Sequence, residues 1–171
     1  MNPHVILARI ESLLPKDAEG NFLAFKPGAT GAEEKSDVVH DFLAFLAEQM
    51  MEMNKEKHAE VTGFLSWLER EIGAKIEDLS NKTKLKEYDD QDFDTVLGVL
   101  RRNRSRLRGN PDSRQLQEAL EREFTASVAR LRPLKARIAA TDRLIDLIVY
   151  RLYGLTPEDV EIVEQAHGER S

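Results

Sequence analysis

The sequence has no cysteine. That excludes disulfide staples, thiolate metal sites and cysteine nucleophiles. Aromatic residues make up 6% of the chain, thin provision for a sheet-based core, which draws on Val, Ile, Tyr and Phe. No apolar run approaches the roughly 18 residues that a bilayer-spanning helix needs, so no membrane partner is expected. There is no positive surplus either. The formal charge is −6, and nothing global points to nucleic acid, although a local basic patch can still hold phosphate. The first eleven residues lack a basic leader ahead of their apolar positions and do not read as a signal peptide, which places the expected protein in the cytoplasm. HExxH, P-loop, GxGxxG and GxSxG patterns are all missing, so no catalytic residue and no cofactor is expected.

What is present favours helices. Charged residues reach 33% and hydrophobic ones 41%, a composition suited to long helices with much exposed surface. Asn2 and Pro3 start a short helix that Pro15 ends. Residues 16–34 carry glycines and Pro27 without a helical period and read as a loop, with Phe22-Leu-Ala-Phe25 pinned on a core or paired as a short strand. Ser36 and Asp37 then cap a long helix marked by Val39, Phe42, Leu46, Met50 and Met53, and again by Val61, Phe64, Leu65, Leu68 and Ile72. Residues 54–60 interrupt the apolar pattern but tolerate a helix, which is expected to run to about residue 76 despite Gly63 and Gly73.

Residues 77–93 read as a polar connector broken at Ser80-Asn81. A third helix is expected from about Asp94 to Arg108, showing Phe93, Val96, Leu100 and Leu107 on one face until Gly109-Asn110-Pro111 stops it. Asp112 or Ser113 caps a second long helix that Pro133 should bend, with apolar positions from Leu116 to Leu152 spaced by threes and fours. Gly154 is a natural helix end, and Thr156-Pro157 starts a last helix that Leu155 staples through Val160. The expected fold is all-α: a long antiparallel, coiled-coil-like helical hairpin with short packing helices at its ends. Residues 1–35 form a leading helix and loop, and residues 36–171 form the hairpin domain with its C-terminal turn and short helix.

The constellation with most chemical content is the run Arg101-Arg-Asn-Arg-Ser-Arg-Leu-Arg108, five Arg without an acid. Guanidinium forks match phosphate oxygens, so Arg101, Arg102, Arg104, Arg106 and Arg108 are candidate DNA-phosphate contacts that would not read sequence. On a continuous helix Arg101, Arg104 and Arg108 would share one margin, and Arg102 and Arg106 another. The other reading is a solvated face paired with Asp89, Asp90, Asp92 and Asp94, or with the long helices.

Glu33-Glu34-Lys35, with Asp17 upstream, matches half of a Mg²⁺-dependent nuclease pattern, though acids ahead of a helix are favourable in any case. His4, His40, His58 and His167 form no close pair, and no metal site is expected. Met50, Met51 and Met53 read as a soft patch or as core filler. The stripe from Leu116 to Leu152 could serve a homodimer, but pairing inside one chain is simpler.

One stretch carries a resemblance. DRLIDLIVYRLYGLTPEDVEIVE, residues 142–164, resembles the tail of N6-adenine DNA methyltransferases of restriction–modification systems, including large chains that fuse methylation with cleavage. The family's I-D-x-x-V-Y-x-L-Y-G-L-T pattern is met by Ile145, Asp146, Val149, Tyr150, Leu152, Tyr153, Gly154, Leu155 and Thr156, followed by Pro157. Residues 36–50 and 131–137 are similar to the region ahead of that tail. The resemblance implies a detached C-terminal domain, an excised piece of one, or a small separate subunit, supporting DNA binding and target recognition beside catalytic methyltransferase or restriction domains. The chain has no Pro-Pro pair and no glycine-rich cofactor turn, the parts with which such enzymes hold cofactor and flipped adenine. Methylation by this chain alone is therefore not expected. The rival expectation is a helical interaction or dimerisation module that never touches DNA.

Overall fold

The computed structural model describes residues 3–14 and 33–168, and every regular element among them is helical. The chain is all-α. The helices are α1 (Pro3–Glu11), α2 (Glu33–Ile72), α3 (Lys82–Lys86), α4 (Phe93–Arg102), α5 (Arg114–Leu152) and α6 (Pro157–Gly168). Asp17 and the Phe22–Phe25 stretch, expected in a loop or strand, lie outside the described residues. No described helix is long and apolar enough to cross a membrane. Two compact units share the chain: a first built from Met1–Met51 and Ile138–Ser171, and a second from Glu52–Arg137. Each long helix contributes a segment to both.

α2 spans 40 residues and continues unbroken through positions 54–60. Its bounds differ from expectation at both ends. It begins at Glu33, so Ser36 and Asp37 lie inside it rather than capping it; Glu and Lys are good helix formers, and early acids suit the positive end. It stops at Ile72, because Gly73 takes a left-handed φ of 64°, the geometry that ends helices at their C′ position.

In the second unit, the α2 and α5 segments run antiparallel: Ile72 meets Gly109, Phe64 meets Phe124, and Glu60 pairs with Arg130 at 3.3 Å. The expected polar connector is instead ordered into three helical turns, Ile76–Asp78, α3 and Tyr88–Asp90. Charged residues hide its i, i+3 apolar pairs, yet Ile76, Leu79, Leu85 and Tyr88 are all buried. They join Leu68, Ile72, Val96, Leu100, Leu120 and Leu131 in one core. Phe64 stacks on Tyr88 with ring centres 4.0 Å apart, and Phe124 meets Tyr88 and Phe93 edge-on. Phe64, Tyr88, Phe93 and Phe124 thus pack as one cluster of rings in this core. The Tyr88 hydroxyl, buried among them, shares a 2.5 Å hydrogen bond with Ser127.

The first unit holds α1, α6, residues 33–51 of α2 and residues 138–152 of α5. Ile10, Val39, Leu46, Leu144 and Ile148 form its core. Arg151 reaches Glu11 of α1 at 2.9 Å, and Arg143 pairs with Glu164 of α6. The stripe on α5 is covered within the chain itself: Leu116, Leu120, Phe124, Leu131, Leu134 and Ile148 are buried. α5 also runs on through Pro133, an exposed position where water can meet the carbonyl left without a donor.

Candidate phosphate-binding site

The arginine run does not form a helical face. α4 ends at Arg102, and Arg104–Arg106 form a separate 3₁₀ turn, so the expected sharing of margins by Arg101, Arg104 and Arg108 does not arise. The break is caused by Asn103, whose side chain turns inward. Its Nδ2 donates to the Ser80 and Val99 carbonyls at 3.0 and 2.9 Å, and its Oδ1 accepts from the Ser80 N–H at 2.9 Å. Asp92, not Asp94, opens the helix by accepting from the Thr95 N–H at 2.6 Å, a bond that lowers its pKa.

Beyond the 3₁₀ turn the chain is laid across the end of α2. The Arg108 and Gly109 N–H groups both donate to the Ile72 carbonyl, at 2.9 and 3.1 Å. Gly109 permits this approach, since a Cβ there would stand 2.8 Å from the Glu71 carbonyl oxygen. Arg106 and Arg108 thus stand beside the last turn of α2, whose negative end favours cations.

Their partners are not the expected acids. Asp89 and Asp90 are taken by Lys135, at 3.0 and 2.5 Å. Burial pulls the Lys135 pKa down, but the hydrogen bonds its ammonium donates to Asp90 and Asp89 outweigh it, and the value is raised. Arg101 pairs with Asp112 at 2.9 Å, and Arg106 donates to the Asp78 carbonyl at 2.6 Å. Arg102, Arg104 and Arg108 are exposed and form no ion pair among the described residues.

An open groove of about 910 Å³ in this unit is lined by Arg70, Lys75, Arg106 and Arg108, with Glu69 and Asp78 beside them. Glu69 is already engaged by Lys75 at 2.8 Å and by the Ile76 N–H at 3.0 Å, and both bonds lower its pKa. The spare charge in the groove is therefore positive. Arg70 and Lys75 lie about thirty residues before the run, and no local sequence signal joins them to it.

A family described as Domain of unknown function (DUF8810) matches residues 36–149. The chain belongs to this family. No curated protein and no solved structure matches it. The DUF8810 match takes in the whole second unit, including residues 101–108, and stops before Tyr150. The tail motif lies beyond it and has structural work to do. Gly154, at φ 63°, and Leu155 close α5 by donating to the Arg151 and Tyr150 carbonyls at 3.1 and 3.0 Å, the paired bonds of a Schellman end. Thr156 and Asp159 then exchange hydrogen bonds as a capping box, and Pro157 opens α6. Tyr150 is buried, with its pKa raised first by that burial, whereas Tyr153 is exposed.

The other candidates stay apart. Among the described residues no three His, Asp or Glu side chains gather as a metal site requires. His40 touches the neighbouring Asp41 at 3.9 Å in open solvent, closer than adjacent helix positions suggest. The side chains of Glu33, Glu34 and Lys35 lie outside the described residues. Met53 is buried and Met51 exposed, so the methionines do not form one patch.

Proposed function

We propose that this chain is a non-catalytic helical module that holds DNA phosphates on the arginine turn of its second unit. We also propose that it serves a DNA-modifying enzyme of the restriction–modification methyltransferase kind, as a C-terminal domain or subunit in the cytoplasm. The first part rests on one observation: Arg102 at the end of α4, Arg104 in the 3₁₀ turn and Arg108 just beyond it are exposed and have no carboxylate partners among the described residues. Charge distribution supports it. The second unit carries 18 basic and 16 acidic side chains, while the rest of the chain carries 7 and 15. The link to a methyltransferase rests on the tail resemblance alone.

The test is binding of the full chain to a short duplex across a salt series. Changing Arg102, Arg104 and Arg108 to Ala removes three phosphate contacts and should flatten the log–log salt slope by about 3. An unchanged slope, or no binding at low salt, rejects the reading. The alternative is an interaction module without DNA contact. It is favoured by the exposed large hydrophobic residues Val38, Phe45, Met51, Tyr153 and Ile162, all of which belong to the first unit.

A further inference from the structure

The first unit presents an apolar strip that its own core does not use. Val38 and Phe45, 54% and 51% exposed, lie seven residues apart on α2, two turns or about 10 Å along the same face. Val38 also lines a recess of about 330 Å³ between α1 and α2, floored by Ile6, Ile10, Leu13, Val39 and Phe42. Phe42 stacks on Phe45 with ring centres 6.3 Å apart, so recess and strip are continuous. Exposed carboxylates follow the same spacing: Asp41 and Glu48 stand three residues beyond Val38 and Phe45. Arg9 is the one cation lining the recess among the described residues.

We infer that this strip is a docking surface for an amphipathic helix of a partner protein, one with a basic flank beside its apolar stripe. Helix-in-groove recognition uses apolar anchors at such spacings, and the two carboxylates set the sign of the flank. A second copy is the wrong occupant. Face to face, it would set Asp41 and Glu48 against themselves, within units that each carry 15 acidic against 7 basic side chains. The surface is separate from the arginine turn and does not depend on DNA binding.

The probe is a synthetic 18-residue Leu/Lys peptide with leucines at helical spacing, titrated into the full chain. A control peptide has every Leu replaced by Ser. Both target side chains are half exposed, so the double variant Val38→Ser/Phe45→Ser should fold, and circular dichroism checks that it does. The inference expects Leu/Lys binding that weakens roughly tenfold or more in this variant, and weakens with salt less steeply in Asp41→Asn/Glu48→Gln. The variant with Arg102, Arg104 and Arg108 changed to Ala should bind the peptide as the native chain does. Equal binding of the two peptides, or equal binding by native chain and Val38→Ser/Phe45→Ser, would overturn it as mere charge attraction. A native dimer that Val38→Ser/Phe45→Ser dissociates would overturn it in favour of a second copy.

Discussion

Asn103 is the only residue of positions 101–108 that solvent barely reaches, at 3% exposure. Its amide makes two bonds that hold the Ser80 turn against the end of α4 and a third to the Val99 carbonyl within α4. Asn103→Ala strands those backbone groups and should cost about 2–3 kcal/mol, read from the denaturant midpoint. The Tyr88–Ser127 bond makes a second residue-scale prediction. Ser127→Ala or Tyr88→Phe leaves one buried hydroxyl or its partner unsatisfied, at about 1–3 kcal/mol, and the double variant should cost less than the two added together. Burial of Tyr88 also pushes its pKa up to about 12. The neutral phenol is the form the fold accepts, and an unfolded tyrosine titrates near 10. This contribution is therefore complete below about pH 10 and is lost as pH climbs towards 12, by on the order of 2–3 kcal/mol. A denaturation series from pH 9 to 12 should show the fall in the native chain and a smaller one in Tyr88→Phe.

Among the helices, ends decide more than interiors. Gly63 lies inside α2 with nothing within 4 Å of a built Cβ, so Gly63→Ala should stabilise by up to about 1 kcal/mol. Gly154→Ala should cost roughly 1–2 kcal/mol for its left-handed backbone. Gly109→Ala should cost more than that in thermal or chemical melts, because the added atom meets the fixed backbone of α2. Both long helices were legible, since Leu68, Leu120, Phe124 and Ile148 repeat at threes and fours over many turns. The Schellman end at Gly154 and the box at Thr156 were equally plain, as such caps are written in four or five consecutive residues. Ile76, Leu79, Leu85 and Tyr88 escaped because one-turn helices are too short to show a period. The breakdown of the arginine face escaped for another reason: Asn103 bonds to Ser80, 23 positions away, and no local pattern announces that. Arg70 and Lys75 joined the groove through the same long-range packing.

For the molecule as a whole, charge and apolar exposure are divided between units: among the described residues, arginines without an ion pair in the second and exposed large hydrophobics in the first. Stability and binding should therefore separate. Arg102→Ala and Arg104→Ala should each shift stability by no more than about 0.5 kcal/mol, as for surface positions without partners, while reducing affinity for a duplex at low salt. Arg106→Ala should cost somewhat more, because its guanidinium ties the turn to the Asp78 carbonyl. Melting curves beside titrations of the same variants check both statements.

The interleaving of the units along the chain also has a consequence in time. Once residue 137 has left the ribosome, every segment of the second unit is available, and its antiparallel partners are nearby in sequence. The first unit must join residues before 51 to residues after 138. During synthesis its half of α2 waits with Val39 and Leu46 uncovered while some ninety residues are added, and closing so wide a separation is slow. A released chain that ends near residue 140 should thus protect the second unit from protease while the N-terminal half of the first remains open to cleavage, and to any chaperone that binds bare apolar helix.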